Sequence, residues 1–183
     1  MKIEETPLAG AYVITPEPVF DERGAFARLF CADTFAAHGL ASSFEQVSVS
    51  VNARAGTLRG LHLQRPPHAE VKLIRATVGA VFDVIVDVRA ASPTFGQWHA
   101  VELSAENRRM FYVPAGFAHG FQSLRDASEL VYHITPPYAA GFQDGVCFDD
   151  PALAIPWPDP AGAILSDRDR LLPLLADFEP VAV

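Results

Sequence analysis

Ala80-Val81-Phe82-Asp83-Val84-Ile85-Val86-Asp87-Val88 is the stretch whose reading decides the fold. β-Branched residues surround the two acids Asp83 and Asp87, and a run of this length and composition reads as a sheet strand with at least one well-buried face. Working outward, similar short runs occur at 11–14, 26–30, 46–52, 57–64, 71–78, 98–103, 109–113, 120–124 and 129–134. Turn residues separate them at close intervals, among them Arg23-Gly24, Gly56, Val78-Gly79, Pro93 to Gly96 and Pro114 to Gly116. Many short strands punctuated by Gly and Pro predict a sandwich or barrel rather than alternating βαβ units. Only 33–38 and 167–177 read as helices; the second follows Ser166, a good N-cap, and carries acids in its first turn. From Pro136 onward prolines are frequent, and Phe142, Phe148, Ile155 and Trp157 predict an ordered arm anchored across the barrel.

The chain has 183 residues, half of them hydrophobic, and a formal net charge of −8. We expect one domain spanning 1–183, burying roughly 70% of its unfolded surface without metal or disulfide staples. An acidic balance without basic runs argues against nucleic acid and anionic membrane partners, which need clustered Lys and Arg. Cys31 and Cys147 are far apart and fit no ligand spacing, and the first residues, MKIEETPLAG, lack an apolar signal core. The expectation is a reduced, cytoplasmic protein. No apolar run approaches the length of a membrane span.

In Leu58-Arg59-Gly60-Leu61-His62-Leu63-Gln64, strand alternation predicts Arg59, Leu61 and Leu63 on one face and Gly60, His62 and Gln64 on the other. His62 then reads either as a core histidine satisfied by the backbone or as an interior imidazole in a barrel. Downstream, Pro114-Ala115-Gly116-Phe117-Ala118-His119 matches the PxGxxH element of cupins, and His62 stands where their first histidine element falls. The HxH position reads His62-Leu63-Gln64, one imidazole short, and the distant Glu70 would complete only a poor metal site. No metal and no cofactor is expected. A metal-free interior histidine suits removal of a proton from carbon, provided a carboxylate orients it and another group stabilises the enolate. Lys72 reads equally as a snorkelling edge lysine or as an ammonium in the same cavity. Tyr132 reads as core or as a site residue.

Taken together, these residues resemble the nucleotide-diphospho-4-keto-sugar 3,5-epimerases. The resemblance runs from 20–26 through 58–64, 92–96, 101–107, 114–121 and 149–151 to 165–169. It implies an all-β, cupin-type double-stranded β-helix (jelly roll) with short flanking helices, in a homodimer that exchanges strands. It implies an isomerase acting on a nucleotide-diphosphate sugar, dTDP-linked in the resembled family. His62 matches the general base, Asp169 the carboxylate that orients it, and Tyr132 the acid on the other face of the sugar. Lys72 and His119 match residues around the keto oxygen. Arg23 and Arg59 match diphosphate or sugar contacts, Tyr138 the aromatic that stacks on the base, and Phe20 and Phe26 the cavity mouth. A planar guanidinium fork suits phosphate oxygens.

A ketone at C4 acidifies the hydrogens on C3 and C5, so removal on one face and return on the other inverts each centre through an enolate. The chain departs from the family pattern at Arg28, where a glutamate is common, at Gln46-Val47-Ser48, at Gln143 and at Arg168. These positions fall among the implied nucleotide and sugar contacts and bear on which base and sugar are accepted. A dianionic substrate on an acidic protein requires a local cluster of cations, and Arg23, Arg28, Arg59, Lys72 and Arg168 are the candidates. A 3,4-ketoisomerase, an epimerase of C3 or C5 alone, and a non-catalytic sugar-nucleotide-binding cupin are the alternatives.

Overall fold

The computed structural model describes residues 1–183. In chain order its strands are β1 (Lys2–Glu5), β2 (Tyr12–Thr15), β3 (Val19–Asp21), β4 (Gly24–Phe26), β5 (Gln46–Asn52), β6 (Leu58–Gln64), β7 (Val71–Val78), β8 (Ala80–Asp87), β9 (Trp98–Ser104), β10 (Met110–Val113), β11 (Phe117–Ser123), β12 (Ser128–Thr135) and β13 (Gln143–Gly145). Helix α1 (Ala32–Ala37) precedes β5, and α2 (Asp167–Arg170) follows β13. Two antiparallel sheets dominate, one ordered β1-β2-β10-β7-β12-β5 and the other β13-β6-β11-β8-β9. Strands β3 and β4 form a separate hairpin.

Alternation builds the layers. Ile74 and Ala76 of β7, Phe111 and Val113 of β10, and Leu130 of β12 meet Val81 and Ile85 of β8 and Phe117 and Phe121 of β11 between the sheets. The opposite side chains of the five-stranded sheet, including Leu61, Leu63, Val84 and Val86, are covered by the C-terminal arm through Phe148, Ile155, Trp157 and Phe178. Trp157 Nε1 donates to the Phe148 carbonyl at 2.7 Å, so its buried polar end is satisfied. The outer face of the six-stranded sheet is closed by Phe35 and Leu40 over Ile14, Leu73, Met110 and Tyr112. This is the cupin-type jelly roll, with one end of the inter-sheet space left polar and open. No helix is long and apolar enough to cross a membrane.

The deciding stretch is β8, and both its acids are fully buried. Three expectations are corrected. Helix 167–177 stops at Arg170 and resumes only as a single 3₁₀ turn, Leu175–Asp177, because Pro173 lacks an N–H and its ring excludes the preceding helical turn. The run 26–30 is not a strand: β4 ends at Phe26, and Arg28 lies exposed in the segment that leads to α1. β11 begins three residues earlier than the run at 120–124, at Phe117, which places His119 within a strand.

Candidate active site

β6 does not alternate simply. Against β11, His62 pairs with His119 and Arg59 pairs with Phe121, so three residue steps of β6 oppose two of β11. Such a bulge re-aims side chains. Arg59 therefore lines the same cavity as His62, correcting the expected opposite faces. Gly60 is the reason this is possible. Its φ is +133°, and a Cβ there would lie 2.5 Å from the Gly120 Cα, so no other residue fits.

The cavity holds about 420 Å³ and is lined from both sheets. His62 and His119 come from the five-stranded wall, and Ser48, Ser50, Lys72, Tyr132 and Ile134 from the six-stranded wall. Arg168 and Asp169 close it from α2. The His62 Nε2 lies 2.6 Å from Asp169 Oδ1. Asp169 is itself held: Ser166 Oγ accepts its backbone N–H as the N-cap, and the Gly60 N–H points at Oδ2 from 3.4 Å. Burial pushes the Asp169 carboxyl up, but the hydrogen bond and charge of His62 outweigh this and leave it below the usual carboxylate range.

A second histidine-carboxylate pair lies deeper, with His119 Nε2 2.9 Å from Asp83 Oδ1. Asp83 is fully buried and its Oδ2 has no hydrogen-bond partner. Burial pushes its carboxyl up, opposed by His119 and Lys72. The His119 ring packs edge-on to Tyr132 at 5.9 Å between centroids. Burial of the Tyr132 phenol, reinforced by the nearby Asp83 charge, drives its pKa well above the ordinary tyrosine value. At neutral pH the Tyr132 phenol is therefore protonated. Ser50, Phe121 and Ile134 of the lining, and Asp83 and Glu70 behind it, were not among the site residues expected from sequence. The signal for Asp83 was an acid inside an apolar strand; Glu70 was read only as a distant metal ligand, but its Oε1 lies 2.7 Å from Lys72 Nζ.

Of the other expected residues, Arg59 lies in the cavity with Nε on Asn52 Oδ1 at 2.9 Å. Ser48 and Arg168 line it as well, whereas Gln46, Tyr138 and Gln143 reach it only through hydrogen bonds. Gln46 Nε2 donates to Ser48 Oγ, and Gln46 Oε1 accepts the Tyr138 N–H at 2.9 Å, while the Tyr138 ring stays half exposed. Gln143 accepts from the Arg168 guanidinium. Phe20, Arg23, Phe26 and Arg28 do not line this cavity within one chain. The hairpin β3–β4 stands in solvent, with Phe20 70% and Phe26 80% exposed and Arg23 paired to Asp21. The cation cluster expected from sequence is thus three strong within one protomer: Arg59, Lys72 and Arg168. No set of three or more His, Cys, Asp or Glu side chains is grouped to hold a metal ion.

Sheets of cupin type, with basic and acidic groups projecting from facing walls into one polar cavity, define an enzyme of the jelly-roll isomerase class. The comparisons narrow this. A family profile described as dTDP-4-dehydrorhamnose 3,5-epimerase matches residues 5–177. The dTDP-4-dehydrorhamnose 3,5-epimerase of Sinorhizobium fredii is 41% identical over 178 residues, covering 97% of this chain and 91% of that protein. The crystal structure of the Bacillus anthracis enzyme with TDP and pyrophosphate bound superposes with a TM-score of 0.91 at 45% identity, over 94% of this chain and 98% of that one. The 3′-monoepimerase ChmJ of Streptomyces bikiniensis, in complex with dTDP-quinovose, gives a TM-score of 0.88 at 38% identity, over 94% of this chain and 87% of that one. The chain belongs to the dTDP-4-dehydrorhamnose 3,5-epimerase family.

Proposed function

We propose that this protein inverts C3 and C5 of a dTDP-linked 4-keto-6-deoxy sugar, and that residues 1–183 act as one epimerase domain. The observation that carries the reading is the His62–Asp169 pair facing Tyr132 across a cavity that also holds Lys72. Asp169 fixes the imidazole by accepting at Nε2, which leaves Nδ1 of the neutral ring with its lone pair for a substrate hydrogen. His62 takes the proton from C3 or C5, and the electron pair moves onto the C4 oxygen as an enolate. The Asp169 carboxylate then stabilises the imidazolium. Lys72 and His119 offset the enolate charge, and the protonated Tyr132 phenol returns a proton to carbon from the six-stranded wall. General acid-base groups contribute about 10²- to 10⁴-fold each, and one well-placed oxyanion donor about 10² to 10³.

Arg59 and Arg168 suit the diphosphate, and the half-exposed Tyr138, linked through Gln46 to Ser48 of the lining, offers a platform for the base. The remaining contacts come from a second protomer in this reading. Val47, Val49 and Val51 of edge strand β5 are exposed in a row, and the hairpin β3–β4 presents Val19, Phe20 and Phe26. Such contiguous apolar surface favours association with another chain. In the homodimer each hairpin delivers Phe20, Arg23, Phe26 and the nearby Arg28 to its neighbour's cavity mouth.

Incubation with dTDP-4-keto-6-deoxyglucose in D₂O tests the reaction. Deuterium at both C3 and C5 is the expected result, label at C3 alone would make this a monoepimerase, and no label at either carbon would refute the proposal. A carbonyl that moves to C3, seen by NMR, would identify a 3,4-ketoisomerase instead.

A further inference from the structure

Lys72 is the one long, flexible side chain among the proposed catalytic groups, yet it is buried and its ammonium is not free to wander. Nζ lies 2.7 Å from Glu70 Oε1 and donates to the His62 carbonyl at 3.3 Å. The Glu70 and Lys72 side chains are both about nine-tenths buried. An ammonium has three N–H donors. Two acceptors from different walls, Glu70 just before β7 and the His62 carbonyl on β6, settle two of them. The third N–H is left to the cavity, in a direction set by the first two.

We propose that Glu70 is a positioning residue: it clamps the Lys72 ammonium against the His62 backbone so that the remaining N–H meets the oxygen that becomes the enolate. This rests on the epimerase reading above and adds a residue to it. The His62 carbonyl belongs to the residue that supplies the base, so the clamp registers the oxyanion donor to the base across the inter-sheet gap. Fixing a lysine stem during folding removes a rotamer-entropy cost that would otherwise fall on the reaction. Asp83 and His119 from β8 and β11, His62 from β6 and Tyr132 from β12 also face the Lys72 ammonium; Glu70 is the carboxylate in contact with it.

The test compares wild type, Glu70→Ala and Glu70→Gln for deuterium wash-in at C3 and C5, for kcat and KM, for TDP affinity and for thermal melting. Glutamine keeps an acceptor oxygen for the ammonium, and alanine does not. Glu70→Ala is expected to lower kcat and wash-in about 10- to 100-fold, with KM and TDP affinity within about threefold of wild type. Glu70→Gln is expected to restore kcat to within about fivefold. Wild-type kcat in Glu70→Ala would overturn the proposal, as would a Glu70→Gln variant that melts like wild type yet is as slow as the alanine variant. A wild-type protein that puts no deuterium into the sugar removes the epimerase reading itself, before any variant is measured. As a probe independent of turnover, the Lys72 ammonium ¹H–¹⁵N signal should be slow to exchange in wild type and lost in Glu70→Ala; its persistence in that variant would also overturn the clamp.

Discussion

His62 Nε2 and Asp169 Oδ1 are 2.6 Å apart, although the residues are separated by 107 positions in the chain. The contact exists because the C-terminal arm crosses the five-stranded sheet and turns α2 back over β6, where Ser166 Oγ caps the Asp169 backbone N–H and the Gly60 N–H points at the carboxylate. A short contact built from both ends of the chain makes the proposed base depend on the whole fold.

Replacing His62 by Asn should abolish exchange at both carbons, a loss of at least about 10³-fold, because an amide cannot take the proton and His62 is the imidazole that Asp169 orients. An Asn amide can still donate to Asp169, so the melting temperature should fall no further than it does in Asp169→Asn. Deuterium wash-in by NMR, with melting as the control, measures both.

Tyr132→Phe should separate the two half-reactions. Proton removal by His62 persists, so substrate label still enters slowly from solvent, while epimerised product falls by about 10²-fold or more. Because the Tyr132 pKa stands well above its ordinary value of 10, the phenol should remain protonated through the neutral and mildly alkaline range. A plot of kcat against pH should therefore show no loss from Tyr132 below pH 10 that Tyr132→Phe removes.

Asp169 ties catalysis to stability. Its carboxyl titrates below the ordinary 3.8 in the folded protein because His62 favours the charged form. The stabilisation this represents is present above the unfolded-state value and is lost as pH falls through the lower folded-state value. The melting-temperature advantage of wild type over Asp169→Asn should accordingly be full at neutral pH and shrink below about pH 4. At pH 7, Asp169→Asn should slow turnover about 10²-fold while leaving TDP affinity nearly unchanged, since the carboxylate orients the base and does not contact the nucleotide in this mechanism.

Gly60→Ala should destabilise the protein by about 2 kcal/mol or more, read by chemical denaturation. The added Cβ meets the Gly120 Cα at 2.5 Å, in a backbone conformation that L side chains rarely adopt. Any folded remainder should have lost the bulge that brings Arg59 beside His62, and with it affinity for TDP.

A mixing experiment tests the shared site. Arg23→Ala and His62→Asn homodimers should each be impaired, and heterodimers formed by mixing should regain about a quarter to a half of wild-type activity, because one of their two cavities has an intact His62 and an intact partner hairpin. No recovery after verified subunit exchange would place Arg23 outside the neighbour's site.

Much of this was legible in the chain. Nine of the strands follow from alternating β-branched runs between Gly and Pro turns, because a strand's side-chain period is local. The strands missed were β1, β3, β4 and β13: β1 carries Glu4 and Glu5, and β3, β4 and β13 are only three residues long, too short to establish a period. The PxGxxH element and the Leu58 to Gln64 run marked the cavity, and the lines from 20 to 169 that resemble the epimerases marked its lining.

What the sequence by itself determined was the fold class, the family and the residue types a carbon acid-base site needs. Only the tertiary structure decided that Arg59 faces inward, that Asp83 stands behind His119, that Glu70 grips Lys72, and that Phe20, Arg23 and Phe26 stand clear of their own chain's cavity. The physical reason is tertiary in each case. A bulge, a register between distant strands and a hairpin leaving the body of the sheet are set by long-range pairing, and although Glu70 and Lys72 are two residues apart, it is the His62 carbonyl on β6 that completes the grip on the ammonium.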